Sequence, residues 1–370
     1  MKYKRMAIEK ESPEELGYGN IRCNLAESSV SDFLLKDLRL DLKDLSLCYT
    51  DHRGKPELRE LIVKGYPDLR KEDVLITVGA ASALFIIASS LLKAEDHLIV
   101  VRPNYATNIE TPRAIGCAIT YIDVSFENGW QPDISSIEKA IQPNTKYISL
   151  THPHNPTGSL LAKEDLDKLG GIAEERNLYV LVDETYRDLS YSTPYPLAAS
   201  LSPKFISVSS LSKAYGLPGL RLGWLISQDE NLMETFLAAK EQIFITNSVL
   251  DEEVAFQFLE EKDQHWKAIK KHIDTNFELL QQWIENEKRL EWVKPGGGVV
   301  CFPRIKNREK FDAPQFYDLL LNKYGTLVGP GHWFEMPDHY MRIGYAWPVY
   351  EELNKGLKNI TAALEESILP

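Results

Sequence analysis

The sequence predicts an α/β protein: a large, predominantly parallel layered sheet with a smaller α/β domain beside it. Two observations carry this. Between residues 73 and 226, short apolar runs of strand length alternate with longer stretches of helical spacing, the order expected of buried strands crossed by helices. From about residue 250 the pattern changes to long charged helical stretches with only short apolar runs between them.

In chain order, "DVLITVG" reads as a strand and "ASALFIIASSLLKA" as the helix after it. "DHLIVVRP" returns to strand, and "TKYISLTHPHNPTG" carries a further strand into a polar, proline-rich loop. "KEDLDKLGGIAEERN" has helical spacing, "LYVLVDETY" is a strand with a polar end, and "KFISVSSLSK" and "LRLGWLI" supply two more strands. The smaller domain is expected from the helical stretches within 250–289, then "GGGVVCFPRI", "FDAPQFYDLLLNKYG", "YMRIGYA" and a last helix near "EELNKGLKNITAALEESI". No internal repeat is evident. A length of 370 residues accommodates about two domains at ~150 residues each. The expected division is an N-terminal segment 1–46 joining the small domain, a large domain 47–245 and a small C-terminal domain 246–370.

Composition narrows the function. Hydrophobic residues make up 44%, charged residues 26%, and the formal net charge is −12, which argues against a nucleic-acid or other polyanion binder. Cys23, Cys48, Cys117 and Cys301 show neither metal-ligand spacing nor a disulfide framework, so no metal and a reducing, cytoplasmic setting are expected. The start "MKYKRMAIEKESPEE" has no apolar signal stretch, and "SALFIIASSLL" is too short for a membrane span.

Chemistry gathers where functional groups collect in such a sheet, in loops beyond the strand ends. In "SSLSKAYGLPGLRLGW", Lys213 follows Ser210 and Ser212, with Gly216, Gly219 and Arg221 after it. An isolated lysine is ordinarily a solvated surface group. This one has the surroundings of an amine that forms an imine with an aldehyde and then transfers protons, beside hydroxyls and a guanidinium suited to phosphate. In "TVGAASALF", Ala80 and Ala81 open a helix whose exposed amides favour an anion. Taken alone the stretch favours a compact strand-helix turn, and it lacks the Lys–Ser/Thr pair of a nucleotide phosphate loop; its force comes from being joined by Ser210, Ser212 and Arg221. Asp183 is a loop cap by default, or the counter-charge to a protonated ring nitrogen. Tyr186 and Asn155 suit a ring oxygen, and Tyr105 a ring face.

Taken together these motifs resemble the pyridoxal-phosphate-dependent class I/II aminotransferases of fold type I, the group that includes aspartate aminotransferase. The resemblance runs in order from about residue 49 to 346. It implies a mixed, mostly parallel sheet with helices on both faces and pyridoxal 5'-phosphate as cofactor. It further implies transfer of an amino group between an amino acid and an α-keto acid by ping-pong chemistry. Lys213 matches the Schiff-base lysine, Arg221, Ser210 and Ser212 the phosphate ligands, and Ala80 and Ala81 the backbone phosphate contacts. Asn155 in "PHNPTG" matches the ring-oxygen contact next to the substrate, Asp183 and Tyr186 in "VDETY" the ring contacts, and Tyr105 the stacking aromatic. Arg342 in "YMRIGYA" matches the residue that binds the substrate α-carboxylate. Tyr49 in "YTDHRGKPELRE" matches a tyrosine that reaches the neighbouring subunit's phosphate, implying a homodimer with composite sites. Otherwise it is a buried aromatic before a turn.

One segment departs from the family. Where many relatives carry a glycine-rich stretch near the substrate, this chain has "NLAESSVSDFLL". Glu27, Ser28 and Ser29 there are either substrate contacts or helix caps. No second arginine for a side-chain carboxylate is evident. A β-eliminating cysteine-sulfur lyase, a cyclase, an epimerase and a non-catalytic cofactor-binding regulator are the alternatives on the same frame.

Overall fold

The computed structural model describes residues 1–191 and 195–368. Eight strands position the site: β1 (Cys23–Asn24), β2 (Val74–Thr77), β3 (His97–Arg102), β4 (Ala118–Asp123), β5 (Thr145–Thr151), β6 (Tyr179–Asp183), β7 (Phe205–Ser210) and β8 (Gly223–Ile226). The last seven form one sheet in the order β2-β8-β7-β6-β5-β3-β4. Only β8 runs against its neighbours, antiparallel to both β2 and β7, so the sheet is mixed and mostly parallel.

Side chains alternate across a strand, and the two faces separate accordingly. Leu98, Val100, Ile206 and Val208 pack on one face with Ile86, Ile87 and Phe236 from the helices Gly79–Leu91 and Glu230–Phe244. Ile99, Val101, Ile148 and Val180 pack on the other with Leu166 and Leu169 from the helix Lys163–Arg176. Each such burial contributes about 1.5–3 kcal/mol before entropy, so the sheet is clamped from both sides. The strand β4 had not stood out in the sequence. It lies at the sheet edge with no fully buried residue, and its apolar signal is correspondingly weak.

The rest of the chain forms a second, smaller layer. A three-stranded sheet of Val300–Cys301, Met341–Gly344 and Gly329–Pro330 is packed with the helices Lys262–Asn286 and Tyr350–Ser367 through Ile273, Leu280, Ile343 and Leu357. The strand β1 pairs in parallel with Thr326–Leu327, tying the start of the chain to its last part. The helix Glu230–Phe244 stops at Ile245, whose φ of 45° is unfavourable for a β-branched residue. Among the described residues, no helix is long and apolar enough to cross a membrane.

Candidate active site

Because β5, β6 and β7 run parallel in register, Thr151 lies opposite Asp183 and Asp183 opposite Val208 at one edge of the sheet. The reversed strand β8 begins where the others end: Gly223 pairs with Ser210, which brings Arg221 to the same edge. A cavity of about 580 Å³ opens there. Its walls include Ala80, Ala81, Tyr105, Asn155, Asp183, Tyr186, Ser210, Ser212, Lys213, Arg221, Arg342, Glu27 and Ser28. Tyr49 does not line it. That residue is 81% exposed, so the plain alternative of a buried aromatic is wrong.

At one end the first turn of Gly79–Leu91 presents its amides, and Val78 supplies no side-chain cap to satisfy them. Gly79 has φ 72°, and a Cβ there would come within 2.5 Å of Arg221 Nη2; only glycine lets the guanidinium lie against the helix start. Arg221 itself adopts the left-handed conformation, φ 49°, at a cost of roughly 1–2 kcal/mol. It donates to Pro218 O at 2.8 Å and Ser212 Oγ at 3.4 Å. Amides, two serine hydroxyls and a guanidinium thus line the same cavity, a donor set for a phosphate dianion.

Lys213 follows β7, its carbonyl accepting from Val30 N at 3.0 Å. Its amine makes no hydrogen bond or ion pair with any described residue. Burial pushes its pKa down; the Glu27 carboxylate opposes this and the Arg342 charge adds to it. Burial likewise pushes the Asp183 carboxyl up, against hydrogen bonds from Thr185 and the charge of Lys213. Asp183 Oδ1 accepts from Thr185 Oγ1 at 2.6 Å and Thr185 N at 3.2 Å, which leaves Oδ2 for a cationic ring nitrogen. Burial raises Tyr105 and pushes Tyr186 to about 12, despite the nearby Arg342 and a hydrogen bond with Ser28. Both phenols remain neutral donors.

Opposite the phosphate end, Arg342 donates to Asn155 Oδ1 at 3.1 Å and Ala26 O at 2.7 Å and stacks its guanidinium 5.0 Å from the Phe334 ring. Its Nε is buried without a partner. Burial pushes its pKa down from the usual arginine value, while Tyr186 and Glu27 favour the charged form; the guanidinium stays charged. The donor set therefore fits pyridoxal 5'-phosphate: an anion cradle, a carboxylate for the ring nitrogen, an unengaged amine, and a guanidinium for a substrate carboxylate.

Glu27, Ser28 and Ser29 cap no helix, so that reading of them falls; Glu27 and Ser28 belong to the cavity wall. The wall also holds residues the motifs did not single out. Thr185 lies within "VDETY" and was within reach of sequence reasoning. Glu14, Tyr18 and Trp333 arrive from distant segments with no local signature.

The description "Aminotransferase class I and II" matches residues 21–360 of the chain. The aspartate aminotransferase of Pyrococcus horikoshii is 29% identical over 86% of this chain and 83% of its own. Capreomycidine synthase of Streptomyces vinaceus is 29% identical over 94% of this chain and 91% of its own. A crystal structure of a PLP-dependent aminotransferase from Streptococcus suis superposes with a TM-score of 0.91 at 28% identity, covering 100% of both chains. With this match over most of its length, on the frame and cavity just described, the chain belongs to the class I and II aminotransferase family, of fold type I and dependent on pyridoxal phosphate.

Proposed function

We propose that the chain is an aminotransferase that moves an amino group between an amino acid and an α-keto acid, in amino-acid metabolism. The observation that carries this is the Lys213 amine, unengaged in a cavity whose two ends are an anion cradle and the Asn155–Arg342 pair.

When bound, pyridoxal phosphate supplies an electron sink for the bonds of a substrate α-carbon. Ser210, Ser212, Arg221 and the amides of Ala80 and Ala81 hold its phosphate. The Asp183 carboxylate pairs with its ring nitrogen, Asn155 and Tyr186 donate to its ring oxygen, and Tyr105 covers one ring face. Arg342 binds the donor's α-carboxylate. Lys213 anchors the cofactor, and its Nζ moves a proton from the donor α-carbon; burial and Arg342 keep that amine closer to its neutral, basic form.

The active unit in this reading is a cytoplasmic homodimer in which Tyr49 reaches the partner's phosphate site. Leu47, Tyr49, Ile243, Ile245 and Leu250, from two segments, are all exposed, apolar surface that a partner subunit would cover. The stretch carrying Tyr49 is fastened beside the others by Lys240 Nζ donating to His52 O at 2.6 Å and Gln257 Nε2 to Asp41 O at 2.8 Å.

The test is an absorbance spectrum of protein loaded with pyridoxal phosphate, followed by a donor and acceptor screen with product detection. Conversion of a donor to its keto acid with stoichiometric amination of an acceptor is expected. Release of ammonia and a keto acid from a β-substituted donor would assign the lyase reaction instead. Cofactor binding with no turnover of any donor would assign regulation.

A further inference from the structure

Resting on the reading of the cavity as a site of amino transfer, we infer that its donor is an amino acid with a cationic side chain, an ammonium or guanidinium, selected by Glu27 with help from Glu14.

The charges lining the cavity decide this. The cations are Lys213, Arg221 and Arg342, and the proposed function assigns each: the amine to proton transfer, Arg221 to phosphate, Arg342 to the α-carboxylate. The anions are Asp183, Glu27 and Glu14. Asp183 is assigned to the ring nitrogen, so two carboxylates remain at the mouth, and neither forms an ion pair with any described residue. Glu14 is exposed and Glu27 half-buried, and a carboxylate on a concave wall with no cation paired directly to it lowers the free energy of a cation bound there.

Glu27 is built into position. Its Oε1 accepts from Tyr18 Oη at 3.0 Å, and Tyr18 is stacked 6.1 Å from Trp347. Burial and the charges of Glu27 and Glu14 all push the Tyr18 phenol up, so it remains a donor. The Glu27 backbone lies so close to Gly344 that a Cβ there would come 1.7 Å from Glu27 O. Arg342, two residues earlier on the same strand, donates to Ala26 O at 2.7 Å. One strand therefore fixes both ends of the donor: the α-carboxylate at the Arg342 guanidinium, which is 4% exposed with an unpartnered Nε, and the side chain toward Glu27. A dicarboxylic donor would place its second carboxylate against Glu27 and Glu14, and among the described residues of this chain's cavity wall the three cations are already assigned elsewhere.

The competing account is that Glu27 merely tempers the charges of Lys213 and Arg342, both of which it favours in charged form. That role would affect every donor alike. Selection affects the cationic ones.

The experiment uses the full chain loaded with pyridoxal phosphate. Calorimetry gives dissociation constants for α-methylornithine, α-methylleucine and α-methylaspartate, which have no α-proton to lose, so binding is read apart from turnover. Single-turnover rates are measured with arginine, ornithine, leucine and aspartate. The cationic analogue should bind about 10-fold more tightly than the neutral one, and the acidic analogue most weakly. Glu27→Gln should lower the cationic-to-neutral ratio about 10-fold, and Glu14→Gln should lower it by less. Preference for the acidic analogue, or a parallel loss for all donors in Glu27→Gln, overturns the inference. Donors turned over without charge preference defeat it alone. Analogues ranked as expected but no donor converted to keto acid would defeat the transfer reaction and leave the charge selection standing.

Discussion

The floor of the cavity and its mouth are built differently. The floor is set by strand register: Asp183 ends β6, Ser210 ends β7, and Arg221 precedes β8 opposite it. No one of these groups shifts without disturbing a hydrogen-bonded ladder buried on both faces. The mouth comes largely from the first part of the chain, where the helices Ala7–Lys10 and Pro13–Leu16 are four residues each and Tyr18 is 46% exposed. Its key contact is one hydrogen bond, Tyr18 to Glu27. Groups that must meet reacting atoms within a few tenths of an ångström belong on the rigid part. Groups that choose among donors can stand on a part that tolerates change.

The comparison is tested most severely at Lys213. Lys213→Ala should reduce multiple turnover by about 10³-fold or more, since one amine supplies both anchoring and proton transfer. The unfolding free energy of the cofactor-free chain, measured in urea, should hold or rise, because a half-buried ammonium without a partner is removed. Normal turnover in this variant would end the assignment.

Arg342→Gln comes next. It should lower kcat/KM by about 10²-fold, the usual scale for truncating a buried charged contact, with most of the change in KM. The absorbance of the resting, loaded enzyme should stay as in the parent. A lost resting spectrum would mean that Arg342 belongs to the cofactor floor and not to the donor end.

Behind the floor, Glu184 follows Asp183 on the opposite face. Burial pushes its carboxyl to about 7, although Arg187 and hydrogen bonds from Ser207 and Ala198 favour its charge; its Oε2 has no partner. In the folded chain the proton stays on Glu184 up to a pH of about 7, whereas the ordinary value is 4.5. The folded state therefore binds the extra proton across that window, and stability declines as pH rises through it. Glu184→Gln, which cannot ionise, should remove a decline of about 1–3 kcal/mol, read from urea unfolding at pH 4.5 to 8. An identical pH profile in parent and variant would refute it.

The smallest effect is expected at the mouth. Tyr18→Phe should change KM for the preferred donor by about 2–5-fold, the worth of one partly exposed hydrogen bond, with cofactor affinity unchanged. A loss as large as that of Arg342→Gln would erase the distinction between floor and mouth.

The chemistry of the floor was legible because it is written locally. "VDETY" and "SLSKAYGLPGLRLG" each place polar groups at or within three residues of the end of an apolar strand, and an apolar strand in an α/β frame has a predictable end. The reversal of β8 was not legible, since an apolar run carries no sign of its direction. Nor was β4, because an edge strand without a fully buried residue loses the periodic contrast that reveals a strand.

By itself, then, the chain's order of residues pointed through short-range pattern to the α/β frame, the lysine, the aspartate and Arg221, while Arg342 and the cofactor followed from the resemblance of the ordered motifs to a family. Only the tertiary structure decided that Tyr18, Glu14 and Glu27 stand around the same cavity as Lys213. That meeting depends on β1 pairing with Thr326–Leu327 and on Leu25 O accepting from Gly344 N at 2.8 Å. Contacts between residues some three hundred positions apart are selected by the packing of whole layers, and no local stretch of sequence encodes them.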